Sequence, residues 1–180
     1  MRLIAALPLV LLAACKPPAT DDYVERVEIG ASQDMPSAPL ESPDTEGALW
    51  ADSDRPLRLV YGKPGETPLL ALACERSDNS SSTVRLTRFA PADPQAQALI
   101  ALIGNGHMTR LPIDAKWNGR FWLWEMELAA DDPALEVLTG PRRVELTIPG
   151  AGSVALNPSQ RPGQLIERCR MPGQAPLPQE

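Results

Sequence analysis

The sequence predicts an α+β domain built on one largely antiparallel β-sheet, with two short helices and one disulfide. Three observations predict it. Several segments alternate apolar and polar residues with period two, RRVELTIPG at 142–150 most cleanly. Two stretches open on Asp-Pro and close on Gly, the start and stop signals of a short helix. Two cysteines, Cys74 and Cys169, lie within the domain. Residues 50–170 suffice for one core of ordinary domain size.

The chain opens MRLIAALPLVLLAACKPP. Met1 and Arg2 form a positive start, and residues 3–12 form an apolar run broken only by Pro8. That run is too short to cross a bilayer as a helix and has the proportions of a secretory signal. Its close, Leu12-Ala13-Ala14-Cys15, resembles the lipobox of bacterial lipoproteins. The resemblance implies that residues 1–14 are a signal peptide, removed just before Cys15. It also implies that the Cys15 thiol carries diacylglycerol and that the new amino terminus receives a further acyl chain. Each buried methylene of such chains contributes about 0.8 kcal/mol to anchoring. The sorting scheme that comes with this family retains proteins with Asp after the Cys at the inner membrane. Lys16 therefore points to the outer membrane, facing the periplasm. The plainer alternative is a secreted protein whose cleavage site happens to lie near a cysteine.

Residues 15–49 read as an acidic, proline-rich tether. Positions 16–49 hold eight acidic side chains against Lys16 and Arg26, whereas positions 50–180 are nearly balanced. Pro17, Pro18, Pro36, Pro39 and Pro43, few aromatics and like charges leave too little apolar area to offset the entropy of ordering. As a flexible coil the tether would average about 30 Å end to end. Its last part differs: Ser42, Pro43, Asp44 and Glu46 read as a helix start, with a short helix to about Leu49 that docks Trp50. The tail, 171–180, reads as loose. No basic run and no aromatic-basic interleaving occurs, which excludes nucleic acid as the expected partner.

Within the domain, LRLVY (57–61) and PLLALACE (68–75) flank the turn-rich GKPGET and predict a hairpin. TVRLTRF (83–89) predicts the next strand, with Val84 and Leu86 on one face. In PADPQAQALIALIGNG, Asp93 reads as an N-cap, Pro94 as the first helical residue and Gly104 or Gly106 as the stop, which predicts a helix over 94–103. HMTRLPI suggests a short strand. RFWLWEMEL (120–128) predicts a strong one, with Trp122, Trp124, Met126 and Leu128 on one face. DDPALEVLTG predicts a second helix at 133–139. Strands follow at 142–150, in GSVAL and in QLIERCR.

With Cys15 lipidated, Cys74 and Cys169 are left to pair in an oxidising compartment. A redox or metal role is disfavoured, because there is no CxxC and His107 is the only histidine. Trp50, LALACE and LIERCR also give the domain a general likeness to small envelope lipoproteins whose early and final Cys-bearing strands bracket a β-rich module. No functional residue is carried over on that likeness.

Each candidate site has a plainer reading beside it. His107 in GNGHMTR follows a glycine-rich turn and is the only side chain for histidine-dependent acid–base chemistry; a solvated or capping histidine is the preferred reading. IGNG and PGAG lack the further residues of a phosphate loop and read as turns. Asp131 and Asp132 read as helix-start residues, and Glu125 and Glu127 as the wet face of a strand. Trp117, Trp122 and Trp124 fall within eight residues. Core packing is preferred for the last two, while Trp117, in the turn-like AKWNGR, is the best single candidate for an exposed contact. Arg142 and Arg143 would add a positive rim.

The expected function is that of a non-enzymatic lipoprotein of the bacterial envelope. It is held to the membrane through Cys15 and presents a small domain to a protein or cell-wall partner. No cofactor or metal is expected. The alternatives are an inhibitor of a periplasmic enzyme and, less favoured, a hydrolase working through His107 and nearby carboxylates.

Overall fold

The computed structural model describes residues 37–76 and 82–171. The expected signal peptide, Cys15, Lys16, most of the expected tether and the tail from 172 lie outside the described residues. Among the described residues nine strands form one sheet in the order β1-β2-β3-β4-β7-β6-β5-β8-β9, and each of their pairings is antiparallel. The strands are β1 Leu49–Asp52, β2 Arg58–Gly62, β3 Leu70–Arg76, β4 Ser82–Pro91, β5 Gln97–Gly104, β6 His107–Trp117, β7 Trp122–Ala129, β8 Val144–Ile148 and β9 Gly152–Leu156. A 3-10 turn, Pro133–Leu135, runs into α1 Glu136–Thr139, and α2 Arg161–Arg170 follows β9.

The sheet curls into a nearly closed barrel. The Tyr61 hydroxyl of β2 donates to Ala155 O of β9 at 2.8 Å and accepts from Asn157 N at 2.9 Å. Residues 40–48 run along the same seam. Leu40 N donates to Gly150 O, Ser153 N to Ser42 Oγ, and Asn157 Nδ2 to Thr45 O and Ala48 O. Period-two alternation fills the interior with Leu59, Leu72, Leu86, Ile100, Leu102, Ile113, Leu146 and Val154, all buried. α2 packs against β2, β3, β4 and α1, burying Leu165, Ile166 and Cys169. The disulfide between Cys74 of β3 and Cys169 of α2 ties that helix to the wall.

The hairpin β2–β3, the strand β4, the helical segment at 133–139 and the strand β8 form as the sequence predicts. Val144, Leu146 and Ile148 point inward. Trp124 and Met126 are buried on the inner face of β7, and Trp50 is buried on the domain.

Three expectations are corrected. The helix expected over 94–103 is β5, which pairs with β6 along its whole length and with β8 at its end. Asp93 does not cap a helix there: its carboxylate accepts from Ser37 N and Ser37 Oγ. QLIERCR is not a strand but most of α2, with Pro162 in its first turn. The helix expected to reach Leu49 is not formed. Ser42 Oγ is engaged by Ser153 N, and residues 49–52 instead extend as β1.

Candidate functional site

The outer face of β2, β3, β4 and β7 carries a groove of about 650 Å³. Its floor exists because the outward positions of β3 are small: Ala71 and Ala73 lie between Arg58 and Val60 of β2 and Arg85 and Thr87 of β4. Larger side chains there would fill the trough. One wall is the loop that enters β2, where Arg55, Pro56 and Leu57 overhang β3. Leu57 adopts φ 52, a conformation that L-residues with branched side chains rarely take, and its carbonyl accepts from Cys74 N at 2.9 Å. The opposite wall is Leu123 and Glu125 of β7, with Asn118 from the β6–β7 hairpin.

Four arginines, Arg55, Arg58, Arg76 and Arg85, line the groove against two glutamates, Glu75 and Glu125. Arg85 is committed, contacting Glu75 at 3.2 Å and Glu127 at 2.7 Å. Glu125 accepts from the Thr87 hydroxyl at 3.1 Å. Arg76 donates to a backbone carbonyl, Arg168 O. Among the described residues, Arg55 and Arg58 form no ion pair. The trough thus offers uncommitted guanidinium groups beside the apolar surfaces of Leu57, Phe89 and Leu123, a combination suited to carboxylate-bearing ligands.

Trp117 sits at the tip of the β6–β7 hairpin, 55% exposed, and its ring meets that of Trp122 at 5.9 Å. The tip is rigid. Asn118 Oδ1 accepts from both Arg120 N and Phe121 N, Asn118 N donates to Phe121 O, and the Arg120 guanidinium lies over the exposed Phe121 ring.

His107, Arg142 and Arg143 are exposed at the other end of β6, about 33 Å away by the rise of an extended strand. The four sequence candidates therefore form two separate places. At the His107 end, Asn105 holds the turn: with φ 52, its Nδ2 donates to Val137 O at 2.8 Å and its Oδ1 accepts from Arg142 N at 2.8 Å. IGNG is a hairpin turn braced on α1. Glu136, the carboxylate on α1 at this corner, is already engaged by Arg170 at 2.8 Å and by the Thr139 hydroxyl at 2.9 Å. Those partners, Arg170 first, hold its carboxyl below the ordinary value of 4.5. Asp132 accepts from Ala134 N and starts the 3-10 turn.

Among the described residues no three His, Cys, Asp or Glu side chains converge as metal ligands, and no helix is long and apolar enough to cross a membrane. The groove residues escaped sequence reasoning because their signal is two alanines facing outward on a buried strand. That signal acquires meaning only when the neighbouring strands are known. Comparison with protein-family models, curated proteins and solved structures finds no match to this chain.

Proposed function

We propose that this chain is a lipid-anchored lipoprotein of the bacterial envelope, non-enzymatic, whose barrel binds a protein or cell-wall partner through the groove on β2, β3, β4 and β7. The observation that carries the binding reading is the pairing of that 650 Å³ trough with Arg55 and Arg58, cations without a carboxylate among the described residues. The partner's contacting segment is then acidic. The lipobox-like Leu12-Ala13-Ala14-Cys15 supports the anchor, and the Cys74–Cys169 bond suits an oxidising compartment. The outer membrane, facing the periplasm, is the expected site.

The test is in-cell photocross-linking with a reactive residue at Arg58 or, as a control, at Met108 on the outer face of β6. Recurrent adducts from position 58 alone are expected. Adducts equal at both positions, or none at 58, overturn the groove. The anchor is tested separately: Cys15→Ala is expected to lose labelled palmitate and to be recovered without detergent, and full incorporation into the variant overturns it.

The exposed Trp117, on a hairpin tip tied by the Asn118 hydrogen bonds, favours a second reading, an inhibitor that inserts this hairpin into a periplasmic enzyme. In that case Trp117→Ala abolishes partner capture, while Arg58→Ala leaves it intact.

A further inference from the structure

Among the described residues, Arg88 is the one charged side chain that is buried, 4% exposed. It points inward from β4 between its cross-strand neighbours Leu70 and Trp124, immediately before an irregularity that shifts the β4–β7 register. Such bulges re-aim side chains. From there the guanidinium spans to backbone carbonyls on two elements. Nη1 donates to Leu69 O at 3.0 Å and Nη2 reaches Ala151 O, in the β8–β9 turn, at 3.4 Å. The Leu69 carbonyl is shared with Phe89 N. A guanidinium has five N–H donors and stays charged at any physiological pH. No carboxylate pairs with Arg88 among the described residues, and Nε has no acceptor. Beside it, Trp124 is 6% exposed and its indole Nε1 also has no acceptor among the described residues. Two carbonyls do not neutralise a buried cation, and an uncompensated buried charge is among the costliest features a fold can hold. Burial accordingly pushes the Arg88 pKa down from its ordinary value. The nearby inward positions are small, Ala90 on β4 and Ala115 opposite Trp124 on β6.

We propose that the barrel interior binds a small monovalent anion, halide or carboxylate, between Arg88 Nε and Trp124 Nε1. The anion supplies the missing acceptor to both donors and the missing charge to the guanidinium. A water molecule would do only the first.

The test is thermal and urea unfolding of the purified full chain, with chloride exchanged for isethionate, a bulky anion that is neither halide nor carboxylate, at constant ionic strength and formate as the carboxylate probe. Above the dissociation constant, the unfolding equilibrium constant is expected to fall about tenfold for each tenfold rise in chloride. Arg88→Met is expected to lose this dependence, and Trp124→Phe to weaken the apparent affinity about tenfold through loss of one donor. Formate without chloride effect would assign the site to a carboxylate, and chloride without formate effect to a halide. An equal response in Arg88→Met, or none to either anion, overturns the proposal. If Arg88→Met does not fold, Trp124→Phe decides, and an unchanged anion dependence in it overturns the shared site.

Discussion

Asn105 shows how one side chain joins two parts of the fold. Its positive φ is a conformation that Asn tolerates better than most residues, and its amide bridges Val137 O and Arg142 N. Asn105→Ala removes both bonds and keeps the strain, so a loss of about 2 kcal/mol is expected in urea unfolding. Asn105→Gly relieves the strain and is expected to lose less; equal losses would mean that the bonds alone matter. Glu136 acts across the same corner by charge. Because its folded pKa lies below 4.5, its contribution is fully present above that pH and is lost as pH falls through the folded value. The stability difference between wild type and Glu136→Gln is therefore expected to shrink on acidification below 4.5. A difference independent of pH would show that the Arg170 contact contributes nothing.

Helix α2 and strand β5 show where the sequence was and was not legible. Clean alternation identified β8, and the Asp-Pro start identified 133–139, because one local rule dominates each. In QALIALIG, Leu99, Leu102 and Ile103 satisfy helical spacing, while Ile100 and Leu102 satisfy the strand. Short apolar runs of this kind carry both periods. Pairing with β6 and β8 decides for the strand and leaves Leu99 and Ile103 exposed on its outer face. In α2 the helical signal was present: Pro162 in the first turn, then Leu165, Ile166 and Cys169 at helical spacing. Of the candidate site, Trp117 as an exposed residue was legible, whereas the trough depends on strand order, which no local pattern encodes. α2 also approaches α1 too closely for a side chain at Gly163, where an added Cβ would lie 2.5 Å from Thr139 O. Gly163→Ala is thus expected to cost about 1–3 kcal/mol despite the better helix propensity of alanine. A stabilised variant would show that α2 is free to shift. Because the helix is also held by Cys169, native protein is expected to show no titratable Cys74 or Cys169 thiol, and reduction to lower stability by up to about 4–5 kcal/mol on the chain-entropy model.

For the whole molecule, the decisive feature is how the barrel closes. β1 and β9 are the two ends of the strand order, and side chains together with residues 40–48 join them in place of a continuous strand ladder. Tyr61 and Asn157 supply four of these bonds, and Arg161 adds a bond to Trp50 O and an ion pair with Asp52. A seam of this kind opens at lower free energy than the ladders of β3, β4 and β7, which are hydrogen-bonded on both sides. Removing the Tyr61 hydroxyl leaves Ala155 O and Asn157 N without their shared partner. Tyr61→Phe is accordingly expected to destabilise the chain by about 1–3 kcal/mol. The loss should be local in hydrogen exchange: the amides of Leu40, Ser153 and Asn157, which bond across the seam, exchange faster, while those in the centre of β4 and β7 follow only the change in global stability. Uniform acceleration across all nine strands would mean that the seam opens only with global unfolding and that the barrel behaves as one cooperative unit.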